Sequence, residues 1–251
     1  MMTHLIRFLS AAGLCLAVTV AGAAEIKLLS PIAFEPAAVV LIPEFEKLSG
    51  HKVTVSYGTA GAIAGRVEKG EAVDVVMTAV PLLEKLQGQG KLLAGSRADI
   101  CKVGLGVFVR QGAPRPDISS VEAFKRSLSE AKSIGYVNPS FGVPTGIYMT
   151  GLLERLGMAE EMRPKTRLLV VADRFAGITR GEADIGFNQM SEIVAEHGID
   201  LVGPLPAPIQ NYTSFAAAVT ADSSAADAAR ALIAHFSSPA SRAIIKIKGF
   251  E

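Results

Sequence analysis

Apolar and polar positions along this chain switch repeatedly between a strand-like and a helix-like period. IKLLSP, Ile26 to Pro31, is a short apolar run closed by a turn residue and predicts a buried strand. AFEPAAVVLIPEFEKLSG follows, with Glu35 and Pro36 at a helix start, Pro43 inside it and Gly50 as its stop. HKVTVSYG alternates as a second strand, AGAIAGRVEKG predicts a helix ending at Gly70, and AVDVVMT is a third strand, apolar but for Asp74. Continuous apolar strands separated by helices predict a parallel sheet covered on both faces.

PLLEKLQGQGKL predicts another helix, and the two glycines of ICKVGLGVFVRQG suit a strand crossing between domains. After the GAPRPD loop comes SVEAFKRSLSEAK, an amphipathic helix. A second succession then reads SIGYVNP (strand), PTGIYMTGLLERLG (helix), TRLLVVAD (strand), RFAGITRG (helix), ADIGFNQ (strand) and SEIVAEHG (helix). GPLPAPIQNYTSFAAAV, proline-rich and then strand-like, suits a return crossing, and DAARALIAHFSSPASRAIIKIKG supplies two closing helices. GRVEKGEAVDVVM, from Gly65, is echoed by GITRGEADIGFN, from Gly177. Both read helix, basic residue, Gly-Glu-Ala, Asp, strand, which predicts two similar α/β domains.

The first residues have a different grammar. MMTHLIR carries His4 and Arg7, FLSAAGLCLAVTV is uncharged and apolar, and AGAAE offers small residues for cleavage near Ala23 or Ala24. Residues 1–24 are therefore expected to be a signal peptide that directs the chain to the periplasm. The apolar run is short of the ~20 residues a membrane span needs. Leu14 before Cys15 is too bulky for a lipoprotein site. Lys and Arg number 25 against 24 Asp and Glu, so loss of Arg7 leaves 24 against 24. That balance points to neither nucleic acid nor an anionic membrane surface. Cys101 is then the only cysteine, and His51, His197 and His235 are isolated, so no disulfide, metal site or cofactor is expected.

In an open α/β sheet, ligands sit beyond the carboxyl ends of the strands, where helix N-termini offer unpaired N–H groups to anions. Four junctions fit: Ser30 to Glu35, Gly58 to Ala62, Val143 to Tyr148, and Val171 to Phe175. The first two fall in one predicted domain and the others in the second. A helix terminus contributes about 0.3–1 kcal/mol toward an anion, so four give only ~1–4, whereas micromolar binding needs roughly 8 kcal/mol. Charge-assisted hydrogen bonds of about 1.5–3 kcal/mol each must supply the rest. Ser30, Thr59 and Thr145 offer hydroxyls, Ala60, Gly146 and Val171 backbone N–H groups, and Arg174 the one cation at these junctions. Each has a plainer reading: Thr59 and Thr145 as helix caps, Arg174 as a solvated charge, Gln189 as a loop-edge amide.

FEKLSGHKVTVSYGTAGAIAGRVEKGEAVDVV, VPTGIYMTGLLERLG, RGEADIGF and SSPASRAIIKIKGF together resemble the molybdate-type periplasmic solute-binding proteins of ABC importers, over almost all of the chain after its first segment. The resemblance implies an α/β, two-lobed type II periplasmic-binding fold, each lobe a mainly parallel sheet flanked by helices. It places residues 25–104 and 212–251 in lobe I and 105–211 in lobe II, with a cleft that closes on a small anion. It implies a monomer that delivers its ligand to an inner-membrane ABC permease. Carried over by local matching, the family's first ligand serine falls on Ala33 and its second on Thr59. The alanine of its proline-alanine-glycine turn falls on Thr145, the next backbone donor on Val171, and its tyrosine on Gln189. Two hydroxyls are thus missing, which counts against molybdate, and Arg174 is added, a fork that suits a carboxylate. The expected ligand is a molybdate- or tungstate-like oxyanion or an organic carboxylate. Binding for a sensor system is an alternative. A secreted hydrolase lacks its nucleophile elbow and a histidine at a strand end, so no enzymatic role is expected.

Overall fold

The computed structural model describes residues 22–251; the expected signal segment, residues 1–21 of it, lies outside the described residues. The chain runs β1 (Glu25–Pro31), α1 (Glu35–Ser49), β2 (Lys52–Gly58), α2 (Ala60–Glu68), β3 (Val75–Ala79), α3 (Val80–Gly88) and β4 (Ala98–Arg110). It continues α4 (Val121–Glu130), β5 (Ile134–Val137), α5 (Pro144–Arg155), α6 (Ala159–Met162), β6 (Thr166–Leu169), α7 (Ala176–Thr179), β7 (Ile185–Gln189) and α8 (Met190–Ala195). β8 (Ile199–Pro204), β9 (Tyr212–Val219), α9 (Ala226–Phe236) and α10 (Pro239–Ile247) complete it.

The strands line up as β2-β1-β3-β9-β4-β7-β5-β6, with β8 also on β4. Within each half the βαβ strands are parallel: β1 with β2 and β3, β5 with β6 and β7. β4 joins the halves, because residues 98–104 pair antiparallel with β9 while the stretch from Leu105 onward pairs with β7 and β8. At the changeover the Gln210 side chain accepts the Leu105 N–H and donates to the Leu105 carbonyl, both at 3.0 Å. Gly104 and Gly106 permit this crossing to be crowded. A Cβ on Gly106 would lie 2.7 Å from Met190 Sδ, and one on Gly104 3.1 Å from the Gln210 amide.

Each half is covered on both faces, as its apolar strands require. In the first half Phe34, Leu41, Phe45, Leu232 and Phe236 fill one side and Ile63, Val67, Leu83 and Leu86 the other. In the second, Phe124, Met149 and Leu152 oppose Phe108, Ile178 and Ile193. Each such fully buried side chain is worth about 1.5–3 kcal/mol. The glycine stops work as read: Gly50 and Gly70 turn at φ 76° and 83°. Three elements depart from the sequence reading. α6, a single turn at Ala159–Met162, is an added helix. β8 is an added strand, recruited by pairing with β4 across a register shift at Val107/Phe108. β6 ends at Leu169, short of the predicted Asp173, because Val171–Asp173 winds into a 3-10 turn.

Candidate ligand-binding site

The carboxyl ends of β1, β2, β5, β6 and β7 converge on one cavity, built from the turns that follow them. After β1, Ile32–Phe34 forms a single 3-10 turn anchored by the Phe34 ring, edge-on to Phe236 at 5.4 Å and to Phe250 at 5.9 Å. Ala33 is left as a small, buried patch of wall. After β2, Thr59 caps α2: its Oγ1 accepts the Ala62 N–H at 3.2 Å. The hydroxyl proton of Thr59 remains available to a ligand. Thr78 Oγ1 donates to the Ala60 carbonyl at 3.0 Å and fixes the first turn of α2 from below.

Small residues at this junction let the other half approach. A Cβ on Gly61 would stand 3.8 Å from the Gly142 carbonyl oxygen, which belongs to the turn before α5. That turn is itself tight, since a Cβ on Gly146 would lie 2.1 Å from the Val137 carbonyl oxygen. Asn138 Oδ1 accepts the Ser140 N–H at 3.0 Å, and Gly142 turns at φ 67° to deliver Val143 and Pro144 to the wall.

The charged part of the wall comes from the second half alone. Arg174, just past the 3-10 turn after β6, donates from Nε to Glu192 Oε2 at 2.6 Å and from Nη1 to the Val171 carbonyl at 3.0 Å. Its guanidinium also lies over the Phe175 ring at 5.1 Å. Glu192 sits in the first turn of α8, and Asn188 Nδ2 donates to the same Oε2 at 3.3 Å. The side chains of Arg174 and Glu192 are 22% and 11% exposed, so this is an enclosed pair and not a solvated charge. Burial pushes the Glu192 carboxyl above the usual carboxylate range, against the pull of Arg174 and Asn188; Glu35 adds to the rise.

Of the residues expected at the site, Ala33, Thr59, Ala60, Val171, Arg174 and Gln189 line the cavity. Ser30, Thr145 and Gly146 do not. Ser30 and Thr145 are fully buried behind it, and Thr145 Oγ1 has no hydrogen-bond partner. Sequence reasoning missed Asn188, Glu192 and Phe215, which also form the wall. An acidic residue in the first turn after a strand was the available signal for Glu192. Cys101, by contrast, is held inert: burial pushes its thiol well up.

The cavity measures ≈ 40 Å³, room for about three waters at roughly 10–15 Å³ each. A ligand larger than a few atoms does not fit the cavity as it stands here. A ligand charge ~4 Å from Glu192 meets a repulsion of about 4 kcal/mol at an effective dielectric near ~20, and Arg174 returns an attraction of the same order.

The family described as bacterial extracellular solute-binding protein matches residues 26–251. The chain belongs to this family. Among its relatives is an aconitate isomerase from Pseudomonas sp., 34% identical over 215 residues, 83% of this chain and 80% of that protein. The molybdate-binding protein ModA of Azotobacter vinelandii is 26% identical across 97% of this chain and 96% of its own. Solved structures share the architecture. The periplasmic molybdate-binding protein of Azotobacter vinelandii superposes with a TM-score of 0.75 at 23% identity, over 90% of this chain and 98% of that one. The sulfate-binding protein SubI from Mycobacterium tuberculosis H37Rv gives 0.72 at 18% identity, over 90% and 86%. The solute-binding chain thus has the type II periplasmic-binding fold.

Proposed function

We propose that the protein is a periplasmic, monomeric binding protein that closes on a small organic carboxylate and delivers it to an ABC permease. In this reading residues 1–24 are a cleaved signal peptide, 25–104 with 212–251 form one lobe, and 105–211 form the other. The changeover in β4 and the Gln210 clamp supply the hinge, and the ligand shifts the open–closed equilibrium because only the closed form makes both sets of contacts. No metal and no cofactor take part in binding.

The observation that carries the carboxylate is Arg174 in the cavity wall, which the hydroxyl-bearing Thr59 also lines. Two hydroxyl positions expected for an oxyanion site are instead Ala33 and Gln189. A fully ionised tetrahedral oxyanion would face Glu192 with less hydrogen bonding to offset it. A carboxylate takes charge-assisted hydrogen bonds from the edge of Arg174 that Glu192 and the Val171 carbonyl leave over. The relative named aconitate isomerase supports a tricarboxylate ligand, and ModA supports the small-anion class as a whole.

A thermal-shift screen of the purified protein against di- and tricarboxylates, molybdate, tungstate, sulfate and phosphate tests this. A ligand at a hundredfold excess over Kd stabilises by about 2.7 kcal/mol. The expected result is a shift with carboxylates; a shift with molybdate and tungstate alone would overturn the reading.

A further inference from the structure

The pairing of Arg174 with Glu192 is costly in a wall meant only for anion capture. Of the residues that line the cavity, only these two ionise, so the carboxylate cancels the cation that would attract a ligand. The same carboxylate is well placed for proton transfer. Both hydrogen bonds it accepts, from Arg174 Nε and Asn188 Nδ2, fall on Oε2, and Oε1 takes part in neither. Arg174 Nη2 likewise takes no part in the contacts of Nε and Nη1. Both residues line the cavity, so a base and a cation, each held by its neighbours, border the same small space.

We propose that Glu192 is a catalytic acid–base group and that the cleft isomerises an unsaturated polycarboxylate by a 1,3-proton shift. This rests on the carboxylate reading above; the relative named aconitate isomerase supplies the reaction class, and the geometry supplies Glu192 as its acid–base group. In the substrate class, a CH2 group stands between a carboxylate and a carbon–carbon double bond. Glu192 Oε1 takes a proton from that CH2, and the broken C–H bond's electron pair forms a new double bond to the central carbon. The pair of the old double bond moves to the distal carbon, which recovers the proton from the Glu192 carboxylic acid. One C–H bond breaks and one forms, the double bond moves one place, and Glu192 returns to its starting state without a co-reactant. The conformation of the CH2 arm when it loses its proton sets the cis or trans geometry of the product. Arg174 holds the carboxylate onto which negative charge spreads in the allylic anion. Burial raises Glu192 above the ordinary carboxylate range, the direction that makes a carboxylate a stronger base. The absence of a hydrolase's nucleophile has no bearing on this chemistry, which needs only a positioned base and a charge-stabilising partner.

The test incubates the purified full chain with trans-aconitate, and separately with cis-aconitate, in D2O and follows the proton NMR spectrum. The expected result is loss of the methylene signal by deuterium exchange together with appearance of the other geometric isomer. Glu192→Gln should lower both rates by about 10²-fold or more, while a thermal shift with the tricarboxylate persists. Glu192→Asp keeps the charge and gives a second variant should the glutamine form fold poorly; it should retain a slowed exchange. No thermal shift of the wild-type protein by any tricarboxylate overturns the carboxylate reading itself. A shift without exchange or isomerisation overturns the acid–base proposal and leaves the binding reading standing. Unchanged exchange in Glu192→Gln removes Glu192 from the chemistry.

Discussion

One turn repeats almost unchanged in the two halves of the molecule. After α2, Gly70 turns at φ 83°, and Asp74 accepts the Lys27 N–H at 2.9 Å just where β1 begins to pair. After α7, Gly181 turns at φ 77°, and Asp184 accepts the Lys132 N–H at 3.0 Å beside β5. Farther along the same strands the halves part company. At matching distances from the two aspartates, Thr78 stands opposite Asn188 and Leu82 opposite Glu192. The shared end is a folding device, which caps a sheet with a left-handed glycine and a backbone-binding carboxylate. Of these only Asn188 and Glu192 line the cavity, so the second half offers both charges from this end, while the first half offers the Thr59 hydroxyl and small residues from the turns after β1 and β2.

Removing the charge on one side should therefore have the largest consequence. Arg174→Ala leaves Glu192 enclosed without its partner, which costs about 3 kcal/mol, the lower end of the range for breaking a buried pair. Urea melts read this, and the double variant Arg174→Ala with Glu192→Leu should recover most of the loss. If the single variant is as stable as wild type, the pair is not holding the second half's wall.

Glycine substitutions sharpen the comparison next. Gly146→Ala in the second half pushes a methyl group into the Val137 carbonyl, and overpacking of this kind costs about 1–3 kcal/mol. Gly61→Ala in the first half meets only an ordinary 3.8 Å contact with Gly142, so its melting curve should barely move while ligand affinity falls through a narrowed cleft. Equal effects on stability would mean that the two turns are packed alike. Thr59→Ala should cost about 1 kcal/mol as a lost helix cap, with a further loss of affinity seen only by titration.

The smallest effect is one of pH. Folding lifts Glu192 above its ordinary value, so the folded state binds more protons than the unfolded one between those two values. The stability this group contributes is full below the ordinary carboxylate value and is lost as pH rises through the raised one. An anion in the cleft adds a like charge and lifts Glu192 further, so affinity should also weaken as pH rises. Arg174 and Asn188 oppose this rise and Glu35 adds to it. Glu192→Gln should flatten both slopes; slopes that persist in the variant would assign them to another group.

Much of the scaffold was legible because its signals are local. Helix stops at Gly50 and Gly70, the paired GEA turns and the apolar strands depend on neighbours in sequence, and the structure places them accordingly. β8 was not legible, since Ile199–Pro204 is short and becomes a strand only by lying beside β4. The site was readable in part for the same reason. Thr59 and Arg174 stand at strand ends, where ligands gather. Thr145 and Gly146 stand at an equivalent place, but a turn that binds an anion and a turn that packs against a carbonyl have the same sequence signature. Glu192 reads along the chain as an acid complementing a helix N-terminus; only the fold brings Arg174 to it across an 18-residue separation.

The most direct measurement is titration calorimetry of a tricarboxylate and of molybdate against wild type and Arg174→Lys. Lysine keeps the charge beside Glu192 but loses the planar fork. The expected result is tricarboxylate binding to wild type, weakened about tenfold or more in the variant, with no molybdate binding to either. Tight molybdate binding that is indifferent to Arg174→Lys would contradict a carboxylate site built on the second half's charges.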